Sequence, residues 1–206
     1  MGEKDLFYDC SARIPLIVYD PRQTADATRG TDSEALVESI DLAPTFLEGF
    51  GGAPMPHVLE GRSLAPLLRG EVVEWRDFCV SEYDYANRDA RRPLGVDQAE
   101  ARLTMIFDGR WKYIHVEGMR PILFDLETDP DELIDLGAVS DHSHQIARLS
   151  EMHFNWARRH HARTVLSDQA VEAMTDQQEP PGIFIGFWNK DDLEAAGRRM
   201  PDHVVG

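Results

Sequence analysis

Cysteine is nearly absent from this 206-residue chain: there are two, Cys10 and Cys79. Two such distant thiols build neither a disulfide framework nor a zinc knuckle, and their use as reduced thiols fits a cytoplasmic protein. Basic residues are also scarce. Lys plus Arg number 21 against 37 Asp plus Glu, a net charge of -16 that repels nucleic acid and anionic membrane surfaces. A small anionic ligand stays compatible with it, because a local cation or metal can reverse the field inside one cleft. No apolar run has the length to cross a bilayer, and the start "MGEKDLFYD" holds no hydrophobic signal region.

What is present suffices for a core. Hydrophobic residues make up 42% and aromatics 9% of the chain, within the globular range. Near the start, "LFYDCSARIPLIVYDP" contains a continuous apolar run, residues 14–19, that reads as a strand buried on both faces. Such a strand needs neighbours on either side. Next comes a polar loop. Asp41 then reads as an N-cap, with Leu42, Ala43 and Pro44 in the first helical turn and Gly51 and Gly52 as the stop. The same grammar recurs in "SLAPLLRG", where Ser63 caps and Gly70 ends a short helix.

From Asp77 the periodicity becomes that of strands. "FCVSEYDY", "LTMIFDG", "RWKYIHVEG" and "PILFDLETDPDE" predict a small antiparallel meander with a hairpin at Asp108-Gly109, interrupted by a polar insertion over residues 87–100. A helix over residues 143–161 places Ile146, Leu149, His153, Trp156 and His160 near one face, as a cover for that sheet. Beyond Thr164 a polar connector leads to "IFIGFW", residues 183–188, too apolar to stay exposed and read as an oligomerisation segment. The expected class is α/β to α+β, in three stretches. Residues 1–76 form the strand, loop and two short helices, residues 77–164 the sheet with its helix, and residues 165–206 a docking tail.

Several residues invite chemistry. Cys10 has an arginine nearby, as a stabilised thiolate would, but reads better as a small buried hydrophobe of the scaffold. "GRSLA" faintly resembles a nucleophile elbow, yet its second glycine is missing and the cap accounts for Ser63. "DHSH" at residues 141–144 and the pair His160 and His161 lack the ligand spacing of a zinc helix or finger. "ETDPDE", residues 127–132, lacks the glycine and terminal glutamate of a calcium loop and reads as a turn.

In order, "YDCSARIPLIVYDP", "ESIDLAPTFLEGFGG", "LEGRSLAPLLRG", "DGRWKYIH" and "PILFDLETDPDELIDLG" resemble the C-terminal portion of type I sulfatases and phosphonate monoester hydrolases of the alkaline phosphatase superfamily. "GIFIGFWNKDDL" is similar to the tail of the phosphonate monoester hydrolase branch. The resemblance implies that Lys4, spaced from Tyr8, Asp9, Arg13 and Pro15 as in that family, reaches the substrate oxygens, with Arg13 in the scaffold. Glu3 stands where the family has glycine. The resemblance further implies a divalent metal (manganese, calcium or zinc), a formylglycine nucleophile made from Cys/Ser-x-Pro/Ala-x-Arg, and a small anionic ester as substrate. In "CSAR" the arginine comes one residue too early for that motif, and the metal-binding aspartates and Asp-His pair have no counterpart in the sequence. The chain is therefore expected to be a C-terminal fragment of a hydrolase, inactive by itself. A non-catalytic assembly module is the competing reading.

Overall fold

The computed structural model describes residues 6–53, 55–159, 165–174 and 191. The chain divides into two compact units, Met1–Ala162 and Arg163–Gly206. In the second, a short helix over Asp168–Ala173 is capped by Ser167, whose Oγ accepts from the Ala170 amide at 3.1 Å.

The first unit is built around an antiparallel sheet of four strands in sequence order: β1 (Cys79–Asp84), β2 (Arg102–Phe107), β3 (Trp111–Val116) and β4 (Ile122–Asp125). The meander is the one expected from the alternating runs. At the β2–β3 turn Gly109 adopts φ +94°, a conformation that favours glycine. The Asp108 carboxylate accepts from the amides of Arg110 and Trp111 at 3.0 and 2.7 Å, which closes the hairpin.

Register divides the side chains between two faces. Ile106 opposes Tyr113 and Tyr113 opposes Leu123, so these three share one face. A long amphipathic helix, Ser143–Arg159, lies over them and adds the fully buried Leu149, with Ile146 and Met152 alongside. Each such aliphatic side chain contributes roughly 1.5–3 kcal/mol on burial. Met105, Ile114 and Phe124 occupy the other face, where Phe7 from the start of the chain covers them. Phe7 is followed by a single helical turn, Asp9–Ala12.

Between the first turn and the sheet, helices form at Leu42–Gly49 and Ala65–Leu68. Gly70 takes φ +71° past the end of the second helix, as the stop reading requires, but its N-cap is Leu64 rather than the expected Ser63, whose hydroxyl one residue earlier accepts from the Ala65 amide at 3.2 Å. Asp41 differs from its expected cap role. A 3-10 turn, Ser39–Asp41, precedes the helix, and the carboxylate closes that turn by accepting from the Glu38 amide at 2.8 Å and reaches the distant Arg62 amide at 2.7 Å and Arg76. Gly61 makes this approach possible, because a Cβ there would stand 2.1 Å from the Ile40 carbonyl oxygen. The insertion carries a short α-helix, Arg91–Leu94, ended by Gly95 at φ +67°, and a 3-10 turn, Gln98–Glu100.

The opening run corrects the sequence reading. Residues 14–19 pair with no strand among the described residues, and Ile14, Ile17 and Tyr19 are 71%, 94% and 73% exposed. A doubly buried strand forms only between partners, and the four strands of the sheet leave it none. The run is nonetheless held at its end. Asp20 grips the Arg22 guanidinium at 2.7–3.0 Å, and Arg29 donates to the Asp20 carbonyl at 3.1 Å. Arg22 holds the Asp20 carboxyl at about 2.

Candidate functional site

Lys4, the substrate contact implied by resemblance, lies outside the described residues, as do His160, His161 and the 183–188 segment. The chain is described from Leu6 on. At Phe7, three residues beyond Lys4, it is fastened to the sheet by a buried ion cluster centred on Lys112 of β3, a side chain only 2% exposed. The Lys112 ammonium donates to the Phe7 carbonyl at 2.8 Å, to Asp9 Oδ1 at 2.6 Å and to Glu132 Oε1 at 2.5 Å. All three ammonium protons are thereby used. The second Glu132 oxygen accepts from the Asp9 amide at 2.6 Å, so one carboxylate binds both the lysine and the segment that the lysine holds.

A charged group can be held in such a place only with its hydrogen bonds complete. Glu132 itself sits at φ +56° and Leu6 at φ +74°, left-handed conformations rare for such residues. Glu132 is part of the clamp and Leu6 directly precedes it. Strain of this kind persists where surrounding contacts over-determine the backbone, typically at functional sites. Tyr8 completes the anchor with its ring 5.9 Å from that of Phe124. Arg13 reaches Asp9 at 3.7 Å with its own side chain largely in solvent, a surface pair next to the clamp.

Sequence reasoning missed Lys112 and Glu132 as a pair. The available signal was a lysine at an inward position of "WKYIHV", where the register places it opposite Phe107 and Phe124. The "ETDPDE" stretch does form a turn, with the Asp129 amide donating to the Asp125 carbonyl at 2.8 Å. Its last glutamate is the one that enters the clamp.

A second buried cluster ties residues 36–41 to β1. Arg76 pairs with Asp41 and, at 3.5 Å, with Glu38, while Glu38 accepts from the Val80 amide at 2.6 Å. Burial pushes the Asp41 carboxyl up, but Arg76 and the two amides outweigh it and hold the group below the usual carboxylate range. Glu38 moves the other way, raised by its burial. Burial, reinforced by the Glu38 charge, pushes the nearby Cys79 thiol up to about 11, so it stays protonated at neutral pH.

The remaining candidates stay apart from both clusters. Cys10 is exposed on the first helical turn, contrary to the buried role expected of it, with Sγ 3.9 Å from Ser11 Oγ. Ser63 is engaged with the Ala65 amide and with Glu48. His142 packs its ring 5.5 Å from Trp111. Among the described residues no group of three or more His, Cys, Asp or Glu side chains is arranged to hold a metal, and no helix is long and apolar enough to cross a membrane. The residues described therefore do not fit the metal and formylglycine that the sequence resemblance implies.

The family model for the C-terminal part of N-sulphoglucosamine sulphohydrolase matches residues 2–158. The chain belongs to this family. It is 33% identical over 159 residues to the multifunctional alkaline phosphatase superfamily protein PehA of Trinickia caryophylli, covering 75% of this chain and 30% of PehA. Arylsulfatase K of Xenopus laevis is 35% identical over 129 residues, 61% of this chain and 23% of that enzyme. Among solved structures, the phosphonate monoester hydrolase of Agrobacterium radiobacter superposes with a TM-score of 0.60 at 30% identity, covering 68% of this chain and 29% of that one. This sulfatase family member thus has an α+β fold shared with part of the alkaline phosphatase superfamily. It spans less than a third of the length of these relatives.

Proposed function

We propose that this chain is the C-terminal part of a hydrolase of phosphonate monoesters, phosphodiesters or sulfate esters, and that it supplies Lys4 to the anionic oxygens of the substrate. The observation that carries the reading is the match to PehA over 75% of this chain and to the phosphonate monoester hydrolase over 68% of it. A lysine ammonium at that place offsets the charge that grows on the oxygens in the transition state. The clamp at Lys112 suits this role, since it fixes the backbone a few residues from Lys4. The nucleophile and the metal ligands are assigned to polypeptide beyond these 206 residues.

On this reading the isolated chain turns over nothing, because a single cation supplies neither nucleophile nor metal. Purified chain assayed with aryl phosphonate and aryl sulfate esters plus manganese is expected to match the protein-free rate. Turnover well above that rate, abolished by Lys4→Ala, would overturn the division of labour proposed here. We propose in addition that residues 183–188 mediate self-association. Light scattering on the chain truncated after Thr164 should then report a smaller assembly than the full chain; an unchanged number of subunits would refute it.

A further inference from the structure

The register of the sheet places Glu82, Thr104 and His115 side by side across β1, β2 and β3. Two residues further along β2 and two back along β3 lie Ile106 and Tyr113, so this row shares the face covered by the long helix. Directly across from it the helix presents His153, one turn beyond Leu149. The rings of His115 and His153 stand 4.9 Å apart between centroids, and Trp156 stacks with His153 at 6.3 Å and 24°. A histidine pair therefore joins sheet to helix at the edge of the apolar cluster, where ordinary packing would use aliphatic side chains.

We propose that His115 and His153 form a proton-operated clasp between β3 and the C-terminal half of the long helix, closed when both rings are neutral and loosened when both are charged. Two imidazolium rings at this separation repel, and the half-buried position of His153 weakens the screening by solvent. The charged groups facing His153 are His115 from β3, Glu117 just after β3 and Glu82 from β1. Glu117 approaches His115 Nε2 at 3.3 Å, and both carboxylates favour the charged form. Burial and the neighbouring His115 outweigh them and push His153 below the ordinary histidine value of 6.5. The unfolded chain then binds more protons than the folded one in the acidic range. Helix docking is consequently intact above about pH 6.5 and weakens as pH falls below it. The N-terminal half of the helix is held instead by Leu149 and by Arg148 on Asp108.

The test is amide hydrogen exchange of the full chain at pH 7.5 and 5.5, corrected for intrinsic exchange rates, with His153→Gln and His115→Gln as variants. Protection of residues 150–158 should fall several-fold, and by no more than about tenfold because pH 5.5 lies one unit below the ordinary histidine value of 6.5, with residues 145–149 changing less. In His153→Gln that fall should vanish. Undiminished protection of residues 150–158 in the unaltered chain at pH 5.5, or an equal fall in His153→Gln, would overturn the clasp. Ring-proton NMR titration of the unaltered chain gives a reading independent of how the variants fold. A depressed His153 titration that shifts when His115 titrates supports the clasp, whereas two independent titrations at the ordinary value overturn it.

Discussion

Two stretches of this protein are written in the same alphabet. Residues 14–19 read Ile-Pro-Leu-Ile-Val-Tyr, and β3 reads Trp-Lys-Tyr-Ile-His-Val. Strand β3 lies between two partners with both faces covered, whereas the earlier run lies unpaired with Ile17 almost wholly in solvent. The more continuously apolar of the two is the one that forms no strand. Strand propensity therefore acts as a fitness for partners rather than as an intrinsic preference of the backbone. For β3 the partners are adjacent in sequence and arrive through short turns; for residues 14–19 nothing described in the chain provides them.

Removing the link between the two regions should have the largest effect. Lys112→Met leaves Glu132 and Asp9 in the clamp without their shared cation, and loss of one partner from a buried pair costs about 3–5 kcal/mol. Part of that is relieved here by the partial exposure of Asp9. Urea denaturation followed by tryptophan fluorescence should place the midpoint well below that of the unaltered chain, and a shift under about 0.5 kcal/mol would show that the clamp does not bear on stability. A smaller contrast comes from truncating one apolar side chain in each region. Leu149→Ala should cost about 2–5 kcal/mol by opening a cavity against Ile106, Tyr113 and Leu123. Ile17→Ala, at a site 94% exposed, should stay within about 0.5 kcal/mol. Comparable losses at the two positions would mean that Ile17 is buried in solution after all, through an association of the chain.

Much of the fold was legible because it is local. The four strands, the Asp108-Gly109 hairpin and the covering helix each announce themselves within a dozen residues, by a period of two or of 3.6 and by turn residues at the ends. The ion clusters were not legible. Lys112 finds Asp9 and Glu132 at separations of 103 and 20 residues, and Asp41 finds Arg76 at 35, so no window of sequence shows the pairings. Asp41 illustrates the cost of reading locally: a residue well suited to cap the helix after it serves the amide of Arg62 and the guanidinium of Arg76 instead. Lys4 as a candidate substrate contact came only from resemblance, since a lone lysine carries no signal of its own.

The clamp also constrains the order of events during synthesis. Asp9 donates its amide to Glu132, 123 residues further along. At ribosomal speeds of roughly 5–20 residues per second, the opening segment waits on the order of 6–25 s before its last contact emerges. The contact that arrives so late fixes the segment without covering the apolar run behind it, since Ile17 stays 94% exposed after the clamp has closed.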